Sequence, residues 1–200
     1  MTSACDSREG SGKLLVVKNP VVTYADYLAR EATSEVRHEF LRGDVWAMAG
    51  GTPTHARLCA SVSGVIRSKL TGKPCVPYSS DLRVRIEVTD RSTYPDLTIV
   101  CGADQFAKDD PDAITNPTVI VEVLSETTER SDRGEKFAHY QRLPSLQEYV
   151  LVGQDQPRIE VFRRREKAWL LTIYEAGDVV QLESLGIAFE IDAVYADPRS

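Results

Sequence analysis

The sequence predicts a mixed α/β domain, and three observations carry that prediction. Apolar residues of helical period run from Leu58 to Leu70, and an almost wholly apolar strand lies at residues 119–124. The order of elements is helix, three strands, helix, strand, with additions at both ends, which implies a mixed sheet flanked by helices.

The elements follow in order. Residues 1–19 read as a flexible tail, because the first dozen are rich in Ser, Gly and charge and lack an apolar stretch; residues 20–198 read as one domain. Thr23 followed by Asp26 resembles a capping box, and Tyr24, Tyr27 and Leu28 give a short helix one apolar face. Residues 40–48 form two apolar arms broken by Gly43 and Asp44, a hairpin pattern. Thr52 is a natural N-cap with Pro53 at the first helical position. Leu58, Val62, Val65, Ile66 and Leu70 then mark one face, and Gly72 ends the run.

Strand patterns come next. Leu82, Val84, Ile86 and Val88 alternate with Arg83, Arg85 and Glu87, as a half-buried strand does. Residues 97–101 form a second strand, reached through Pro95, and residues 119–124 a third whose continuous apolar composition expects burial on both faces. Ser131 is expected to cap a helix through Gln141, stopped before Pro144. Residues 149–152 return as a strand, and three antiparallel strands around residues 159–162, 169–174 and 179–182 finish the sheet.

Composition narrows the function. Two hundred residues bury roughly 70% of the unfolded chain's surface, and 42% apolar with 27% charged residues is globular. No apolar run approaches the ~20 residues that span a bilayer, so no membrane is expected and a cytoplasmic location is. None of the four cysteines forms a CxxC pair, and Cys59 and Cys101 read as small core residues. Three histidines are too scattered for a His-rich metal site. The net charge of -6 is unlike that of proteins that grip nucleic acid over a broad basic face. Contact would be local, through Arg83, Arg85 and Arg91 or Arg163, Arg164 and Arg165, unless these arginines simply line solvated strand edges.

Glu122 is the anomaly, a carboxylate inside the most apolar strand. Charged and alone it would be costly, so it is protonated, paired with an arginine, or bound to a cation. Asp96 stands at the start of a strand, where side chains point toward a sheet end. If the two strands are neighbours, two carboxylates and one backbone carbonyl make a hard-oxygen pocket suited to Mg²⁺ or Mn²⁺. Taken alone, Asp96 is equally a turn or capping aspartate.

Tyr94-Pro95-Asp96, Val121-Glu122-Val123-Leu124-Ser125 and the run from Asp132 to Tyr140 together resemble the Uma-two family of restriction endonucleases, within the PD-(D/E)XK nuclease superfamily. The stretch from Glu39 to Asp44, Met48, His55 and residues 144–149 also fit that pattern, which covers residues 20 to 195. The resemblance implies a restriction-endonuclease-like αβββαβ core with an added N-terminal hairpin and C-terminal strands. It also implies an Mg²⁺- or Mn²⁺-dependent endonuclease acting on DNA, and a homodimer. It places metal ligands at Asp96, Glu122 and the Val123 carbonyl. The lysine expected two residues after the acid is Leu124 here, on the same side of the strand as Glu122. Lys136, on the following helix, is the implied substitute, with Glu39 as a further acid and His55 and Tyr140 as substrate-positioning residues. Plainer readings stay open: Lys136 as a solvated helix lysine, Tyr140 as core, His55 as a capping partner. Two rival functions also stand, a catalytically inactive nuclease-fold binding or dimerisation module and a metal hydrolase of small phosphates.

Overall fold

The computed structural model describes residues 21–48, 50–197 and 199, so the tail expected over residues 1–19 lies outside the described residues. Helix α1 (Tyr24–Glu31) starts with the expected capping box between Thr23 and Asp26. Strands β1 (His38–Leu41) and β2 (Asp44–Ala47) form the hairpin, but the turn is Arg42-Gly43. Both have positive φ, 51° and 97°, the conformation that matches the twist of a two-residue hairpin. Helix α2 (Pro53–Lys69) begins at Thr52, whose hydroxyl accepts from the His55 amide.

The remaining strands are β3 (Cys75–Ser79), β4 (Arg83–Ile86), β5 (Arg91–Thr93), β6 (Leu97–Cys101), β7 (Phe106–Ala107), β8 (Asp110–Ile114) and β9 (Val119–Val123), then β10 (Glu148–Val152), β11 (Arg158–Arg165), β12 (Ala168–Glu175), β13 (Val179–Leu182) and β14 (Ile187–Glu190). Between β9 and β10 runs a broken helix: α3 (Glu129–Ser131), a π-helical turn (Asp132–Lys136) and α4 (Phe137–Tyr140). A last turn, α5 (Asp192–Tyr195), closes the described chain.

Strands assemble into two six-stranded sheets and one hairpin. The main sheet has the order β12-β11-β10-β9-β6-β3, with β9 and β10 parallel and every other pair antiparallel. Its α2-β3-β6-β9-helix-β10 portion is the expected αβββαβ core. Alternate residues of β9 serve its two faces. Val119, Val121 and Val123 pack with Leu58, Val62 and Ile66 of α2 and with the β13–β14 hairpin. Ile120 packs on the other side with Phe137, Tyr140 and Tyr149. Glu122 points to that second side.

The second sheet, β2-β1-β5-β4-β8-β7, corrects two expectations. The alternating strand at 83–86 belongs here rather than to the core, and its core place is taken by β3. Pro77 hid β3: proline removes a ladder donor, which an edge strand tolerates. The segment between β6 and β9 carries two further strands, β7 and β8. Nor is β4 half-buried; all four residues are inside, because its arginines find partners. Arg83 forks onto Asp110 and reaches the Tyr94 hydroxyl, while Arg85 lies over the Tyr24 ring and binds Asp90.

Three further expectations change. Ser131 caps nothing, since helical structure already begins at Glu129, and the Ser125 hydroxyl accepts from the Thr128 amide just ahead of it. Cys101 does border the core, but it is joined by a disulfide to Cys75, its register partner across β3 and β6. Arg163, Arg164 and Arg165 do not form a basic track. Arg163 binds Glu148, Arg164 binds the carbonyls of Gln141, Leu143 and Leu146, and Arg165 binds Glu183. Among the described residues, no helix is long and apolar enough to cross a membrane.

Candidate active site

The register of β6 against β9, with Leu97 opposite Val121, puts Asp96 beside Glu122 at one end of the main sheet. Backbone hydrogen bonds lock the two together. The Val123 amide donates to Asp96 Oδ2 at 2.8 Å, and the Asp96 amide donates to Glu122 Oε2 at 3.4 Å. Both residues lie on the wall of an open cleft of about 1040 Å³ between the two sheets, with Lys136 and His55 also lining it.

Lys136 occupies the space that Leu124 leaves without a charge. Leu124 is buried among the apolar residues of the second face. The π-helical turn adds a residue to the helix, a distortion frequent at functional sites, and it ends on Lys136. The Lys136 ammonium stands 3.2 Å from Glu122 Oε1, 3.2 Å from Asp132 Oδ1 and 3.4 Å from Glu39 Oε1. It is therefore no solvated helix lysine. Tyr149 fixes the turn from behind, donating to the Asp132 carbonyl.

Glu39, on β1, is positioned as firmly. Arg91 donates to one of its oxygens and Thr93 to the other, at 2.9 and 2.6 Å, and both donors stand on β5 beside β1. Tyr140 is fully buried and does not reach the cleft; its hydroxyl donates to Glu122 Oε1 at 2.9 Å. It orients the carboxylate instead of touching substrate. His55 sits in the first turn of α2, its Nε2 3.3 Å from Asp96 Oδ2.

Charge is scarce on the positive side. Burial pushes the Glu122 carboxyl above its usual range, against the pull of Lys136, and Asp132, Asp96 and Glu39 add to the rise. Burial works against the Lys136 charge too, yet Glu122, Glu39 and Asp132 hold its pKa well above the ordinary value. His55 is raised chiefly by its hydrogen bond to Asp96. Asp132, 1% exposed, meets positive charge through the ion pair of its Oδ1 with Lys136. Acidic side chains outnumber basic ones around the cleft. This donor set fits a divalent cation: two adjoining carboxylates and surplus negative charge.

Asp132 and Thr93 were not singled out from sequence, and Arg91 was named only for a local nucleic-acid contact or a solvated strand edge, although Asp132, Lys136 and Tyr140 recur at four-residue steps that share a helix face. Arg91 and Thr93 carry no local signal, because their partner Glu39 is 52 and 54 residues away.

Comparison with known proteins agrees with this architecture. Two uncharacterized proteins of Synechocystis sp. are similar to the chain. One is 34% identical over 177 residues, 88% of this chain and 92% of that protein; the other is 31% identical over 160 residues, 80% and 90%. A crystal structure of "a putative nuclease belonging to DUF820" from Anabaena variabilis superposes with a TM-score of 0.67 over 81% of this chain and 91% of that one. At 16% identity it shows a common fold. The pattern of the Uma2 family, described as "putative restriction endonuclease", matches residues 24–193, and the chain belongs to that family.

Proposed function

We propose that the chain is a Mg²⁺-dependent endonuclease that hydrolyses phosphodiester bonds of DNA, acting in the cytoplasm as a homodimer. The meeting of Asp96 and Glu122 on a cleft wall, with Lys136 supplied from the helix in place of Leu124, carries this reading. Asp96 and Glu122, with the Val123 carbonyl, would hold Mg²⁺ or Mn²⁺. When bound, such an ion stabilises charge on a phosphate in transit and makes water a better nucleophile at neutral pH.

The protein's own groups do the rest. Tyr140 and the Val123 amide fix the two carboxylates. With a cation sharing the Glu122 charge, the Lys136 ammonium, on its flexible stem, would be free to meet a phosphate oxygen as a mobile point charge. Glu39, anchored by Arg91 and Thr93, keeps that ammonium within reach. Since the arginine runs are engaged elsewhere, phosphate is held at this cluster and not along a basic track.

A second reading, an inactive nuclease fold serving as a binding or dimerisation module, is favoured by Leu124 and by the three carboxylates that hold Lys136. One experiment separates them. Purified protein is incubated with supercoiled plasmid and Mg²⁺ or Mn²⁺, beside Asp96→Asn, Glu122→Gln and Lys136→Met. Nicking by the parent, abolished by the first two changes and slowed about 10²- to 10³-fold by the third, is expected. Lys136→Met leaves buried carboxylates unpaired, at about 3–5 kcal/mol, so its folding is checked by thermal melt. Cleavage surviving Asp96→Asn and Glu122→Gln sinks the site; inertness with either metal favours the module.

A further inference from the structure

Asp96 has a second set of neighbours that the endonuclease reading does not use. His55 and Cys59 stand one turn apart on α2 and lean against the same carboxylate. Cys59 Sγ lies 3.5 Å from His55 Nδ1 and 4.0 Å from His55 Nε2, and that Nε2 is 3.3 Å from Asp96 Oδ2. One ligand atom from each of the three falls within 4.8 Å of the others, the one such grouping of three among the described residues. We propose that His55, Cys59 and Asp96 form a site for Zn²⁺ at the mouth of α2.

The distances fit the ion. With Zn–N, Zn–O and Zn–S bonds of about 2.0–2.3 Å, tetrahedral ligands stand about 3.3 Å apart for nitrogen and oxygen and about 3.6 Å for nitrogen and sulfur. The first matches the His55–Asp96 separation, and a small turn of the imidazole closes the second. The donor set selects the metal as well: thiolate and imidazole suit zinc, whereas Mg²⁺ asks for six oxygens. Backbone features hold the donors. The Thr52 cap fixes the His55 amide, the Val123 amide holds Asp96 Oδ2, and a Cβ at position 51 would come 2.7 Å from His55 Nδ1, so Gly51 makes room for the ring.

Three protein ligands leave a fourth position. His55 and Asp96 line the cleft while Cys59 sits behind them against the core, so the open position faces the cleft. Binding converts the Cys59 thiol to thiolate and releases its proton to solvent, one for each ion. Asp96 is shared with the proposed Mg²⁺ site, so zinc here would draw it away and oppose Mg²⁺. Zinc binding itself does not rest on the endonuclease reading.

The test is cobalt spectroscopy of the full chain after chelator treatment. Co²⁺ is expected to give a near-ultraviolet thiolate-to-cobalt charge-transfer band with intense visible bands of tetrahedral geometry, and equimolar Zn²⁺ to abolish both. Cys59→Ser should lose the charge-transfer band, and so should Cys59→Ala, each confirmed as folded by circular dichroism. His55→Gln should weaken all the bands. Glu122→Gln should keep them, which separates failure here from failure of the endonuclease reading. No charge-transfer band in the parent, or a band that persists in both folded Cys59 variants, overturns the proposal.

Discussion

Glu122 accepts hydrogen bonds from Tyr140 and Lys136 on one oxygen and from the Asp96 amide on the other, while burial favours its protonated form. Proton and cation therefore compete for the same carboxylate. A group whose pKa is raised must lose its proton before it can ligate, so apparent affinity falls as the pH drops below that raised value and levels off above it. Isothermal titration of Mn²⁺ at stepwise pH should show affinity rising from acid through neutral to mildly alkaline conditions, with proton release at the lower end. Glu122→Gln should flatten the profile, and a profile unchanged by that substitution would remove Glu122 from the ligand set.

At the level of elements, what the sequence displayed depended on how local each signal is. The capping box at Thr23, the Thr52 cap with Pro53 and the apolar run at 119–123 are written within a few residues, and each became the expected helix end or strand. Glu122 stood out because a charged residue among valines is conspicuous. By contrast β3 carries Pro77 and partly exposed residues, so nothing in its own composition shows that it completes the core. The buried arginines of β4 and β5 read as polar because two of their partners, Asp110 for Arg83 and Glu39 for Arg91, arrive from distant segments. Edge strand β12 bears on assembly. It is eight residues long, unpaired on its outer side among the described residues, and exposes Leu170, Leu171 and Ile173 at 51%, 41% and 43%. Long apolar edges invite pairing with another chain, and in the proposed homodimer this edge meets its copy. Ile173→Lys is then expected to shift the sedimenting species from dimer to monomer, and a parent that sediments as a monomer at all concentrations would refute the arrangement.

Across the whole molecule, the site is a product of the two sheets together. The main sheet supplies Asp96 and Glu122, the second sheet supplies Glu39 with Arg91 and Thr93, and the broken helix between β9 and β10 lays Lys136 across the junction. The Cys75–Cys101 cross-link, with a sequence separation of 26 residues, encloses β4, β5 and Asp96. Its consequence lies in the unfolded chain, not in the native contacts. Closing a loop of that size removes chain entropy worth about 3–4 kcal/mol, which for a chain this long corresponds to a melting midpoint about 10 °C higher. Calorimetry with and without reductant should show that difference, and a midpoint indifferent to reductant would mean that the thiols are not paired. In a reducing cytoplasm the lower midpoint applies. Oxidised, the tether holds β3 beside β6 in register before the main sheet is complete, which narrows the search by which an edge strand carrying Pro77 finds its place.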